Sequence, residues 1–218
     1  KVEFYFDKYV KNYDMNNTHI NYKYHHSYRV KDNMIVLAKS MNLPYKDIEL
    51  AKCIGILHDI GRFEQYKQFQ SFSDFNLDHG DYACELIEKN NILNYYDIDK
   101  SDYDIVIKAI RNHNKFIIEP NLTKRELLFA KMIRDADKLD ILYALGTEKL
   151  KEVVKEDDSE ISKRVKDAFF AGEMIEKEPD ESEMAHLKTT IGTGAVVCLS
   201  SDLIPIDQKN WYVPAWII

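Results

Sequence analysis

The chain has 218 residues, 45% of them hydrophobic and 31% charged, with a formal net charge of -7. That length suits one domain, or one domain with an appendage, and the apolar share is enough for a full core. The acidic balance argues against a general binder of nucleic-acid polymers, which carries a basic face, but leaves a nucleotide open as substrate. The three cysteines, Cys53, Cys84 and Cys198, are far apart, form no CxxC pair and suggest no disulfide framework. A reducing cytoplasm is therefore the expected compartment. No signal-peptide pattern opens the sequence, and no apolar run is long enough to span a bilayer.

With only 7 Gly and 5 Pro, the chain has few turn signals, and its apolar residues recur mostly at helical spacing. Both features predict an all-α fold. Val2 to Tyr13 is aromatic-rich and reads as a short helix packed on the body. Asn16-Asn17-Thr18 is a break. From Tyr22 to about Met41, Val30, Met34, Leu37 and Met41 share a face. His26 lies on that face, while His25 is turned away from it. Pro44 suits the first turn of the next helix, which runs to His58.

The stretch Ile54-Gly55-Ile56-Leu57-His58-Asp59-Ile60-Gly61 is the centre of the sequence. An apolar run ends in a His-Asp pair, and a buried carboxylate needs a cation or hydrogen bonds. Neighbouring side chains on a helix point about 100° apart, so both reach one ion only if it lies against the helix end. Gly61 is expected to terminate the helix in the left-handed conformation. After it the chain reads as irregular, with Phe63, Tyr66, Phe69, Phe72 and Phe75 at every third residue. That stripe reads as packing, with a lid over a site as the second reading.

Asp78 is placed to cap a helix running to about Lys89. His79, Tyr82, Ala83 and Leu86 share its inner face. Asp102 to Asn114 is a further helix, with Ile105, Val106, Ala109 and Ile110 leading to His113. Thr123 and Glu126 have the Thr-x-x-Glu form of a capping box. The helix behind them carries Asp135, Asp137 and Asp140 among apolar residues. Residues 149–160 read as a solvated charged helix with its loop, 161–174 as an amphipathic helix and 176–183 as an acidic linker. The end, rich in Val, Ile, Trp and Pro, has no clear period.

Four of the seven histidines, His26, His58, His79 and His113, thus sit on inner faces of successive helices. Asp59 joins them, with one carboxylate of the 135–140 cluster. A lone inward histidine is usually a satisfied core residue. Four of them with buried aspartates are hard to explain without a metal. A set of imidazole nitrogens and carboxylate oxygens without thiolate suits Mn, Fe, Co, Ni or Zn, and Mg less.

The phrases His26-Ser27-Tyr28-Arg29-Val30, Leu57-His58-Asp59-Ile60-Gly61, His79-Gly80 and Ala136-Asp137-Lys138-Leu139-Asp140 resemble the HD superfamily of metal-dependent phosphohydrolases, named for its His-Asp pair. The resemblance covers about residues 20 to 145. It implies an HD-domain helical bundle as the metal-binding core over about 20–145; length and the helical readings beyond it make this part of a single domain over 1–218 with a C-terminal helical appendage over about 146–218. It also implies one or two divalent ions and hydrolysis of a phosphoric mono- or diester of a small molecule, often a nucleotide, with no membrane partner.

Carried over residue by residue, His26, His58, Asp59 and Asp137 match the core ligands, and Asp59 matches the carboxylate that bridges two ions. His79 and His113 match the extra histidines of the two-metal branches. Their other reading is core residues bonded to carbonyls, or phosphate contacts beside a single ion. Asp137 is preferred to Asp135 because the family's last aspartate sits in an Ala-Asp-x-Leu phrase. Asp135 and Asp140 otherwise pair with Arg134, Lys138 or a backbone donor. His19 and His186 match nothing and read as surface residues. Arg29, Arg62 and Lys138 are the candidate phosphate-facing cations. Two alternatives stand beside the hydrolase: an HD-type di-iron oxygenase, and a sensor domain that keeps a metal for folding.

Overall fold

The computed structural model describes residues 2–75, 77–146, 195–198, 204–205 and 211–214. The chain forms two compact units, Lys1–Asp140 and Ile141–Ile218. The first unit is all-α among its described residues. It holds α1 (Val2–Val10), α2 (Thr18–Ser40), α3 (Tyr45–Leu57), α4 (Ile60–Phe69), α5 (His79–Lys89), α6 (Tyr103–Asn112) and most of α7 (Lys124–Gly146). Two single 3₁₀ turns, Ile92–Tyr95 and Lys100–Asp102, connect α5 to α6.

The starts of these helices follow from local chemistry. The Asn17 side chain accepts hydrogen bonds from the amides of His19 and Ile20, so α2 begins at the expected break. Asp78 accepts from the Asp81 amide and starts α5. At α7 the capping box is reciprocal: the Thr123 amide donates to Glu126 Oε2 at 2.7 Å, and the Glu126 amide donates to Thr123 Oγ1 at 3.3 Å. Pro44 stands just before α3, as its N-cap.

The helices close around one core. Phe6, Val30, Met34, Leu50, Ile54, Phe63, Ile87, Ile110, Phe129 and Ile133 are all within 1% of full burial. Burying a side chain of this size contributes about 1.5–3 kcal/mol, so the core dominates the stability of the unit. Helix α2 lies along α3, α4 along α5 and α5 along α6. Three glycines sit at these crossings. A Cβ on Gly55 would stand 2.7 Å from the Lys31 Cα in α2, and one on Gly61 2.5 Å from the His79 carbonyl in α5. One on Gly80 would stand 2.6 Å from Asn114 Oδ1, just past α6. At Gly55 and Gly61, where the facing atoms are backbone, only glycine permits these spacings.

Three expectations need correction in this unit. Gly61 does not end a helix. It lies inside α4, which starts one residue earlier, and the stretch expected to be irregular is helical to Phe69. An aromatic repeat of three hid a helix whose inner face is simply Phe63 and Tyr66. These two pack in the core, while Phe75, beyond the helix, is 81% exposed. His19 is not a free surface residue either: its ring stacks on Tyr66 at 4.7 Å and its Nδ1 hydrogen-bonds the Tyr66 hydroxyl.

In the second unit, the described residues beyond α7 form strands, not the helices expected of the appendage. They are β1 (Ala195–Cys198), β2 (Ile204–Pro205) and β3 (Trp211–Pro214), in the order β1-β3-β2. β1 runs parallel to β3, from Ala195 opposite Trp211 to Cys198 opposite Pro214. β2 is antiparallel to β3, with Ile204 opposite Tyr212. Val, Ile, Trp and Tyr favour a pleated chain, which accounts for the missing helical period. The helices expected over 149–160 and 161–174, the linker over 176–183 and His186 lie outside the described residues. Among the described residues, no helix is long and apolar enough to cross a membrane.

Candidate metal centre

His58 and Asp59 occupy the joint between α3 and α4. His58 is the last-turn cap of α3, with its amide bonded to the Ile54 carbonyl, and Asp59 stands at the N-terminus of α4. An aspartate there ordinarily caps its helix with a side-chain bond, but Asp59 makes none. Its carboxylate turns inward instead. His79 is the first residue of α5 and His113 the C-terminal cap of α6. His26 and Asp137 come from within the two longest helices, α2 and α7.

All six residues expected at the site come together, and each is 7% exposed or less. The Asp59 carboxylate divides them. Its Oδ2 lies 3.4 Å from His26 Nε2 and 3.6 Å from His58 Nε2. Its Oδ1 lies 3.3 Å from His79 Nε2 and 3.5 Å from His113 Nε2. Asp137 joins the first group, with Oδ1 3.1 Å from His26 Nε2 and 3.8 Å from His58 Nε2. His26, His58 and Asp137, and again His58, Asp59 and His113, each bring three ligand atoms within 4.8 Å of one another and could hold a metal ion.

What points every Nε2 at this centre is the bond made by the other ring nitrogen. His58 Nδ1 donates to the Gly55 carbonyl at 2.8 Å, and His113 Nδ1 to the Ile110 carbonyl at 2.6 Å. His26 Nδ1 is 2.6 Å from Asp140 Oδ2, and His79 Nδ1 2.6 Å from Asp74 Oδ1. Carbonyls and carboxylates only accept, so all four rings carry a proton on Nδ1, and each offers a lone pair at Nε2 when the ring is neutral. Burial, the largest influence, holds His79 and His113 below the ordinary imidazole value and so keeps them neutral.

These lone pairs test whether a cation fits. His79 Nε2 and His113 Nε2 face each other at 2.9 Å, which two bare lone pairs tolerate badly. His26 Nε2 and His58 Nε2 are buried and have no hydrogen-bond partner, even with Asp137 close by. Burial alone would raise the Asp59 carboxyl, but Lys23, His58, His113 and His26 outweigh it and hold the group well below the usual carboxylate range. Asp137 is likewise held low against burial, by Lys138, His26 and His58. Two buried carboxylates with four inward Nε2 atoms make a hard, oxygen- and nitrogen-rich cradle of the kind a divalent transition metal takes.

His26 differs from the other rings. Burial and Lys23 would lower it, yet Asp137, Asp140 and Asp59 together push it up to about 9, so an arriving cation displaces a proton from its Nε2. Asp140, expected to pair with Arg134, Lys138 or a backbone donor, pairs with His26 and Arg29 instead. It is 2% exposed, and Arg29 grips it with Nε at 2.6 Å and a second nitrogen at 3.0 Å. The spacing of Asp137 and Asp140, three apart on one helix, is a signal that was legible. Asp135 points elsewhere: burial lifts its carboxyl to about 6, against the pull of Arg134 and Lys131. Asp74, which orients His79, had no sequence signal because it lies in the loop before α5. It also takes Arg62 Nη1 at 3.0 Å and Gln65 at 3.1 Å.

The candidate cations are therefore largely engaged. Arg29 stands behind His26, on Asp140. Arg62 Nη1 bonds Gln65, the Phe72 carbonyl and Asp74, while its buried Nε lies 3.7 Å from Asp59 Oδ1. Lys138 is 3.5 Å from Asp137 Oδ2. A cation that sequence reasoning missed makes the closest approach: Lys23 Nζ is 2.7 Å from Asp59 Oδ2. Lys23 lies three residues before His26 on α2, a helical spacing that could have found it.

No curated protein and no solved structure matches the chain. The family model of the HD domain matches residues 24–142. That match runs through all four imidazoles and both inward carboxylates, spans more than half of the sequence, and places the chain in the HD superfamily of metal-dependent phosphohydrolases.

Proposed function

We propose that this chain hydrolyses a phosphoric mono- or diester of a small molecule, such as a nucleotide, at a two-metal centre. The observation that carries the reading is the division of Asp59, with one oxygen turned to each pair of imidazoles. His26, His58, Asp59 and Asp137 would hold one ion, and Asp59, His79 and His113 the other. Divalent Mn, Fe, Co, Ni or Zn bound there would supply an activated water and a clamp for phosphoryl oxygens. One ion would not need six protein ligands, since a catalytic metal keeps a position open.

The protein's own part is positioning. The Nδ1 bonds fix four rings before any ligand arrives, so no reorganisation is needed on binding. Lys138 and Arg62, at the outer edge of the carboxylates, would neutralise phosphate charge. Arg29 would act through Asp140 and His26 rather than on substrate.

The test is a panel of phosphomonoesters and diesters offered to protein loaded with Mn, Fe, Co or Ni. Turnover that a chelator abolishes is expected with at least one metal. Fully loaded protein that splits no ester would overturn the reading. Iron-loaded protein that instead consumes oxygen would replace it with the oxygenase chemistry that the same nitrogen and oxygen ligands permit.

A further inference from the structure

The geometry points to Lys23 as the group that receives the anionic oxygens of the ligand, a phosphate-binding residue at the open side of the centre. This rests on the phosphohydrolase reading and adds the residue that meets the substrate. The four imidazoles and Asp59 are at most 3% exposed, whereas the Lys23 side chain is 14% exposed. The ammonium therefore sits where the centre meets solvent. It is anchored on Asp59 Oδ2, the oxygen facing His26 and His58.

An ammonium has three protons to donate, and among the described residues Lys23 donates a hydrogen bond only to Asp59. Two donors remain for an incoming anion. Arg29 is spent on Asp140 and Arg62 Nη1 on Gln65, Asp74 and the Phe72 carbonyl, while Lys138, 3.5 Å from Asp137 Oδ2, would share the phosphate charge from the Asp137 side. The Phe72 ring steadies the arrangement, 5.5 Å from Lys23 Nζ and 5.7 Å from the Arg62 guanidinium carbon. A carboxylate shared with divalent ions is also a poorer partner for an ammonium, which leaves the Lys23 charge to a phosphate dianion. Lys23 lies one residue before the family match begins, so the match itself says nothing about it.

The experiment titrates inorganic phosphate into Mn-loaded wild type, Lys23→Met and Lys23→Arg by calorimetry, with Mn content measured on each. Lys23→Met is expected to keep its metal and bind phosphate about tenfold or more weaker, with Lys23→Arg recovering most of the loss. Phosphate bound by Lys23→Met as tightly as by wild type overturns the assignment and leaves the hydrolase reading intact. Loss of metal in Lys23→Met together with phosphate overturns it in favour of a structural counter-ion to Asp59. Loaded wild type that binds no phosphate overturns both readings.

Discussion

His26 reaches the centre from within the long helix α2 and His58 from the end of α3, and the carboxylate behind His26 is Asp140, 2% exposed and locked by Arg29. His79 and His113 reach it from helix ends, and the carboxylate behind His79 is Asp74, in a loop and 37% exposed. The first pair faces Asp59 and Asp137, the second pair Asp59 alone. The electrostatics follow: three carboxylates lift His26 to about 9 over the opposition of burial, while burial prevails at His79 and His113. A cation is drawn more strongly to the first half, and the second half should release its ion first.

The largest effect is expected from removing what the halves share. Asp59→Ala should abolish both metal positions and cut turnover by ~1000-fold or more, since metal charge stabilisation amounts to several kcal/mol. A folded Asp59→Ala variant with full metal content would refute the assignment. Next is the carboxylate that distinguishes the first half. Asp137→Asn should empty that half, whereas Asp135→Asn should keep metal and activity and melt no lower than wild type at neutral pH. The reverse ranking, with both variants folded, would shift the ligand by two residues on α7.

The second half is probed by counting ions. Elemental analysis should find about two per chain in wild type and about one in His79→Ala or His113→Ala. One ion throughout, after reconstitution with excess Mn or Fe, would leave the hydrolase with a single-metal centre. The smallest effects are expected from the orienting carboxylates, because an outer partner is worth about 10–100-fold in metal affinity. Asp140→Ala should weaken the tighter site and Asp74→Ala the weaker one, as read by competition with a chelator. Equal loss at both sites in either variant would erase the distinction between the halves.

Much of this centre was legible from residue order because its parts obey local rules. Helical phase turns His26 inward and leaves His25 exposed. The capping residues Asp78 and Thr123 act within one turn. What escaped was long-range or of unusual period. Helical spacing sets Asp140 beside Asp137 and Lys23 beside His26, but their partners His26 and Asp59 lie 114 and 36 residues away, and spacing alone does not name them. Helix α4 was misread because its aromatics repeat every third residue rather than every 3.6. Gly61 was given a terminating role because glycine serves two purposes, a left-handed turn and a close approach, and sequence does not separate them. The strands near the end carry β-forming residues without the alternation that would have declared them.

The glycines at the helix crossings carry a further consequence. Gly55 rests on the main chain of Lys31 in α2, the helix of His26, Gly61 on the carbonyl of His79, and Gly80 on the side chain of Asn114, next to His113. At Gly55 and Gly61 the span between ligands is thus set by backbone lying on backbone, not by the reach of side chains. Scaffold and reactivity are separable in such a molecule. An imidazole can be exchanged while every crossing stays in place, so a descendant can fall silent and still hold its shape. A single methyl group added at a crossing would spread two helices at once and pull the ligands apart with all of them still present.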